Sequence, residues 1–182
     1  YSSHVEFDGR DEDGRYRLVT ADGATVLARE VVLAAGSRPV IPPVIADSGV
    51  KYYTNNDVMR LPELPERLII VGSGYIAAEF AHVFGALGAK VSIIARGPAL
   101  LRKQDADISN RFTQVAKDKW DVHLHAGISG AENLPDGGVR LQLSDGAQLE
   151  ADVLLVATGR KPNGDRLNLS SIGVELDEEG RV

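Results

Sequence analysis

The residues with the clearest chemical purpose form the run Gly72-Ser73-Gly74-Tyr75-Ile76-Ala77, a G-x-G-x-x-A sequence. It follows a short apolar stretch, Arg67-Leu68-Ile69-Ile70-Val71, and precedes a segment with helical spacing. That strand–loop–helix context is what a phosphate loop requires. Gly72 allows the tight turn out of the strand, and Gly74 lets backbone approach a pyrophosphate. The anion then rests on the free N–H groups around Ile76 at the helix amino terminus. Ala77 stands in the third position, where a small residue permits close helix–strand contact. About twenty residues on, a dinucleotide-binding unit for NAD places an acidic residue at the end of its second strand. Here the second strand, Lys90-Val91-Ser92-Ile93-Ile94, runs into Ala95-Arg96, and Arg102 follows in the same loop. A carboxylate would repel a 2′-phosphate, whereas guanidinium groups bind one bidentately. The expected dinucleotide is therefore NADPH, with Arg96 and Arg102 on its 2′-phosphate.

The elements that must carry these groups follow from periodicity. Tyr75 to Leu87 places Ile76, Phe80, Val83, Phe84 and Leu87 on one side of a helix, with Gly88 as its carboxyl-terminal cap. A second helix is expected from Asp105, its amino-terminal cap, with Ile108, Phe112 and Val115 facing inward. His123 and His125 alternate along a strand and, with His82, read as surface or packing residues. The proline-rich stretch from Arg38 to Pro65 reads as a connection.

An internal duplication organises the chain. Tyr16-Arg17-Leu18-Val19-Thr20-Ala21-Asp22-Gly23-Ala24 runs parallel to Val139-Arg140-Leu141-Gln142-Leu143-Ser144-Asp145-Gly146-Ala147. The match continues from Val31–Pro39 into Leu154–Pro162 without a gap, Asp22 pairing with Asp145 and Gly36 with Gly159. Each copy has two alternating runs around an Asp-Gly turn, a hairpin signal. Each then enters an apolar run ending in glycine, which reads as a buried strand. Since the second copy follows a complete βαβ unit, equivalence of the copies implies a first βαβ unit before Tyr1.

Composition narrows the function classes. A net charge of −6 over 182 residues disfavours nucleic acid as a partner. The longest apolar runs are too short to cross a bilayer, and the polar, acidic start does not read as a signal peptide. The chain has no cysteine, so it offers no thiolate metal site and cannot by itself run dithiol chemistry; a cytoplasmic setting is the expectation.

The segment Gly72 to Glu79 resembles the NADPH loop of pyridine nucleotide–disulfide oxidoreductases, the glutathione reductase group. Ala34-Ala35-Gly36 and Ala157-Thr158-Gly159-Arg160 look like that family's two A-T-G-type motifs, and the resemblance extends over essentially the whole chain. Asp57–Pro65 and Ala78–Phe84 narrow it to a branch that reduces a low-molecular-weight disulfide. The resemblance implies FAD as a second cofactor, a homodimer, and a flow of electrons from NADPH through flavin to a small-molecule disulfide. It assigns Tyr75 to covering the flavin and Glu79 to pairing with a lysine outside this chain. It puts Asn56, Gly36 and Arg160 at flavin contacts and Gly159 near the nicotinamide; no metal is implied. The expected fold is α/β. Residues 1–38 form part of an FAD-binding domain, and 39–160 a Rossmann-like NADPH-binding domain with a parallel sheet and an added antiparallel hairpin. Residues 161–182 are a linker returning to the FAD domain. The alternatives are a stand-alone NADPH-binding module and a related flavoenzyme with another acceptor, such as a mercuric reductase or a transhydrogenase.

Overall fold

The computed structural model describes residues 2–182, and the chain divides into two compact units. The first comprises the chain up to Arg38 together with Arg160–Val182. Within it β1 (Val5–Arg10), β2 (Tyr16–Thr20) and β3 (Thr25–Ala28) form an antiparallel meander. Its β2–β3 turn carries Gly23 at φ +85°, the left-handed conformation that glycine adopts without penalty. Beyond β3 the expected buried strand does not form. Residues 31–36 join no ladder among the described residues, and Val32 is 89% exposed. An apolar run becomes a buried strand only when neighbours pair with its edges and cover its faces, and this run has neither. β4 (Ser37–Pro39) follows.

The second unit spans Pro39–Gly159 and is a three-layer sandwich. It opens with the single-turn helix α1 (Pro43–Ala46) and a 3-10 turn, Val58–Arg60. Then come β5 (Arg67–Val71), α2 (Tyr75–Ala86), β6 (Lys90–Ile94), α3 (Ala106–Lys119) and β7 (Asp121–His123). β8 (Ile128–Asn133), β9 (Val139–Leu143), β10 (Gln148–Ala151) and β11 (Val153–Val156) complete it. The central sheet has the order β11-β5-β6-β7 with every pair parallel. The side-chain period of two splits β5 between two cores: Leu68 and Ile70 face α2 and α3, while Ile69 and Val71 face the other way. That second face is covered by an antiparallel sheet, β10-β9-β8, through Leu141, Leu143 and Ala151. Being covered on both sides is why β5 and β11 are continuously apolar. The cover has one strand more than the expected hairpin, because β8 pairs with β9 although its sequence, Ile-Ser-Gly-Ala-Glu-Asn, carries little strand signal.

The duplication extends to individual bonds. Thr20 N–H donates to Ala24 O at 2.9 Å and Leu143 N–H to Ala147 O at 2.8 Å, equivalent positions in the two copies. Gly146 repeats the left-handed turn at φ +90°.

Both long helices keep part of their expected faces, with Ile76, Phe80 and Phe84 of α2 and Phe112 of α3 in or against the core. The expected Leu87 and Ile108 fall outside it. On α2 the deep residues are Ala77, Ala81 and Phe84, while Leu87 is 61% exposed. On α3 they are Ser109, Thr113 and Ala116, while Ile108 is 58% exposed. A helix lying close on a sheet meets it with its smallest side chains, and the larger ones spread to either flank. The amino-terminal cap of α3 is Asp105, whose carboxylate accepts from Asp107 N–H at 2.9 Å. His123 ends β7, and His125, beyond it, takes φ +53° rather than continuing the strand.

The chain then returns to the first unit as β12 (Arg160–Pro162), which pairs with β4. Residues 161–182 continue into two 3-10 turns, Asn163–Arg166 and Leu169–Ile172, and Leu169 is buried. Phe7 N–H of β1 donates to Leu167 O at 2.9 Å, and the Asn168 side chain donates to Phe7 O at 2.9 Å. Arg38 forms a two-pronged pair with Asp165, at 2.8 and 2.7 Å, and Lys161 reaches the same carboxylate at 2.8 Å. The Arg38 hydrogen bonds, then those of Lys161, hold the Asp165 carboxyl well below the ordinary aspartate range.

Candidate nucleotide-binding site

The carboxyl ends of β5 and β6 meet the start of α2, and Gly72, Gly74, Arg96 and Arg102 lie there. Gly72 leaves β5 at φ +144°, and its N–H donates to Ile94 O at 2.9 Å. A Cβ at this position would lie 2.2 Å from Ala157 O, so only glycine lets the loop press against the end of β11. Gly74 is the amino-terminal cap of α2, and a Cβ there would meet nothing within 4 Å. The helix has no side-chain cap and no acidic residue in its first turn, and its first internal bond is Ala78 N–H to Gly74 O at 3.1 Å. The preceding amides and the helix dipole therefore offer an anion site on an open backbone face.

Beside this loop runs the segment after β6. Ala95 is buried, Arg96 is exposed, and Arg102 folds back over Gly97, where a Cβ would sit 2.6 Å from Arg102 Nη1. Leu101 N–H donates to Ser73 O at 2.6 Å, which ties the arginine loop to the phosphate loop. Gly72, Ser73, Arg96, Gly97, Arg102 and Thr158 line one cleft of about 470 Å³, whose far wall is the chain from Val40 to Val44. Thr158 Oγ donates to Val40 O at 2.6 Å and holds that wall in place. A second recess of about 520 Å³ opens beside Arg67, Lys90 and Trp120, at the amino-terminal ends of β5 and β6. It lacks a phosphate loop, and in open α/β sheets ligands bind beyond the carboxyl ends of the strands.

The structure thus brings Gly72, Arg96 and Arg102 around one cleft, with Gly74 on the adjoining turn. Ile76 is half-buried in the first turn of α2. Tyr75, 60% exposed, and Glu79 lie one turn apart on the helix and outside the cleft lining. Asn56 is exposed, in a turn where Thr54 N–H donates to Asp57 Oδ1 at 2.6 Å. Gly159, exposed at φ +139°, accepts from Val40 N–H at 3.0 Å. Gly36 and Arg160 belong to the other unit. There Gly36 O accepts from Asn163 N–H at 3.0 Å, and the Arg160 guanidinium bonds the hydroxyl and carbonyl of Ser37. Sequence reasoning missed Gly97, Thr158 and the Val40–Val44 wall. The T of the A-T-G-type motif was the one signal available for any of them. No cluster of acidic or histidine side chains suited to a metal occurs among the described residues. Among the described residues, no helix is long and apolar enough to cross a membrane.

A parallel βαβ unit with a glycine-bounded helix start, and a parallel sheet covered on both faces, make this an α/β protein of the Rossmann-like kind. The family described as pyridine nucleotide-disulphide oxidoreductase matches residues 3–182, and the chain belongs to it. It is 50% identical over 182 residues to a mycothione reductase of Mycobacterium tuberculosis (strain H37Rv), covering all of this chain and 39% of that protein. It is 37% identical over 183 residues to a glutathione reductase of Burkholderia cepacia, covering all of this chain and 40% of that protein. A solved structure of the Cu(II) complex of a mutant HOCl-induced flavoprotein disulfide reductase, RclA, from Escherichia coli superposes with a TM-score of 0.84 at 28% identity. It covers 98% of this chain and 40% of that one. The chain therefore spans about two fifths of the length of the curated relatives named, at 39% and 40%.

Proposed function

We propose that this chain is the NADPH-binding portion of a FAD-dependent reductase of a low-molecular-weight disulfide, with mycothione as the substrate. The observation that carries the nucleotide assignment is the pairing of Arg96 and Arg102 around one cleft with Gly72, at the strand end where an NAD site has an acid. Gly72, Gly74 and the first turn of α2 around Ile76 hold the pyrophosphate, and the two guanidiniums hold the 2′-phosphate. Residues 39–160 act as the NADPH-binding domain, with residues 1–38 and 161–182 on the flavin side. Tyr75 covers the flavin where nicotinamide stacks, and Glu79 orients a lysine beside it. Asn56, Gly36 and Arg160 contact the flavin, and Gly159 flanks the nicotinamide. When bound, NADPH supplies a hydride and the flavin a relay from it to a disulfide. The residues of this chain bind and orient those groups. The mycothione assignment is supported by the 50% identity to a mycothione reductase across the whole chain. A homodimer and a cytoplasmic location complete the proposal.

The test is the variant Arg96→Glu with Arg102→Gln in the full-length protein. Glutamate at the strand end accepts from both ribose hydroxyls and repels a 2′-phosphate. The preference moves toward NADH, and NADPH loses at least about ten-fold in kcat/KM, the equivalent of about 1.4 kcal/mol. The loss falls mainly on KM because the phosphate is remote from the hydride. Retention of full NADPH efficiency refutes the assignment.

A further inference from the structure

We propose that Ser109 and Thr113 of α3 are positioning residues for nucleotide selectivity, two buried hydroxyls that fix the Leu100 peptide and through it the direction of Arg102. The proposal rests on the NADPH reading above. Among the described residues, Ser109 and Thr113 are two of only four buried polar side chains, at 5% and 7% exposure. A hydroxyl is retained in a core only if its hydrogen bonds are made, and here they converge on one peptide unit. Ser109 Oγ donates to Leu100 O at 2.6 Å. Thr113 Oγ1 donates to Ser109 O at 2.7 Å, which leaves a lone pair that accepts Leu100 N–H at 2.9 Å. One face of one helix thus holds both polar groups of Leu100, whose side chain is itself buried.

Fixing Leu100 constrains the two residues after it. Leu101 takes φ +53°, a left-handed conformation that a leucine holds only when its flanks leave no alternative. One flank is the Ser109–Thr113 latch, and the other is Leu101's own N–H bond to Ser73 O at 2.6 Å. Arg102 therefore leaves the backbone toward Gly97, with its Nη1 only 2.6 Å from where a Cβ of that residue would stand, and lines the same cleft as Arg96. Packing alone gives no reason for the latch. Phe112 packs against the core, yet the most deeply buried positions of α3 beside it include Ser109 and Thr113, while the apolar Ile108 is left 58% exposed. The polar pair gives the loop a fixed geometry that an apolar face would not.

The experiment measures binding of NADPH, NADH and the probe 2′,5′-ADP by calorimetry in the full-length protein. Thr113→Val keeps the side-chain shape but frees Leu100 N–H, and Ser109→Ala frees the Leu100 carbonyl. Each lowers the NADPH-over-NADH preference by about three- to ten-fold and weakens 2′,5′-ADP in step, with NADH affinity unchanged. Thr113→Ser retains the preference, since it keeps the hydroxyl. In an Arg102→Gln background, Thr113→Val changes the preference no further, because the latch acts through Arg102. If Thr113→Val does not fold, Ser109→Ala carries the same test. A selective parent protein whose variants stay equally selective overturns the latch alone. Equal losses for NADPH and NADH reduce it to a folding role and also overturn it. An unselective parent protein overturns the NADPH reading and the latch together.

Discussion

The two glycines of the phosphate loop should fail in opposite ways when each is replaced by alanine. At Gly72 the backbone sits at φ +144°, and a Cβ would lie 2.2 Å from Ala157 O and 2.6 Å from Ala157 C. Both contacts are far inside an ordinary separation of about 3.5 Å, and the atoms met are backbone of the segment leaving β11, which cannot rotate away. The strained conformation costs about 1–3 kcal/mol and the overpacking about 1–3 kcal/mol more. Together they take a large part of a typical domain stability of about 5–15 kcal/mol. For a chain of this size Gly72→Ala should lower Tm by roughly 5–20 °C. At Gly74 the backbone is at φ −86°, open to any residue, and a Cβ meets nothing within 4 Å. Gly74→Ala should therefore stay within about 1 kcal/mol of the parent in stability, the difference between glycine and alanine as a cap. In the proposed binding mode its methyl group stands where the pyrophosphate approaches, so NADPH affinity should fall at least about ten-fold. Thermal unfolding and calorimetric titration of both variants separate the two effects. A Gly72→Ala protein that melts like the parent, or a Gly74→Ala protein that binds NADPH undiminished, refutes the loop assignment.

Gly97→Ala should act on Arg102 rather than on the fold, because the added Cβ meets the flexible end of that side chain at 2.6 Å. Stability stays near the parent value while NADPH affinity drops about three- to ten-fold and NADH affinity holds; equal effects on both nucleotides count against it. The Asp165 carboxyl is held below its ordinary value of about 4 by hydrogen bonds from Arg38 and then Lys161. Its contribution is therefore fully present above about pH 4 and is lost as pH falls below that toward the depressed value. The stability difference between the parent and Asp165→Asn should shrink across that acid range in thermal melts, and a pH-independent difference refutes the pairing.

What the sequence made legible were the features fixed locally. The β5–loop–α2–β6 unit is marked by a continuous apolar strand and by glycines whose spacing has a mechanical reason. The paired hairpins are marked by Asp-Gly turns that recur with the same bonds. Features decided by partners were not legible. Val31–Ala35 is as apolar as its counterpart Leu154–Thr158, but β11 pairs with β5 while residues 31–36 have no ladder among the described residues. β8 escaped notice because glycine, serine and asparagine hide a strand whose order comes from β9. On α2 and α3 the aromatic anchors Phe80, Phe84 and Phe112 were legible, but hydrophobicity also favours Leu87 and Ile108, whereas close contact with a sheet selects Ala77, Ala81 and Ala116. That Gly72, Arg96 and Arg102 come together around one cleft could be expected from type and spacing. Gly97, Ser109 and Thr113 could not, since a glycine beside an arginine and hydroxyls on a polar helix look like ordinary surface until the packing is seen.

The central claim is that this cleft is built for a nucleotide with a 2′-phosphate. Calorimetric titration of the same protein with NADPH and with NADH, at one salt concentration, tests it most directly. NADPH should bind at least about ten-fold more tightly, a difference of about 1.4 kcal/mol, and the advantage should shrink as salt screens the two exposed arginines. Equal affinities, or a preference for NADH, contradict the account.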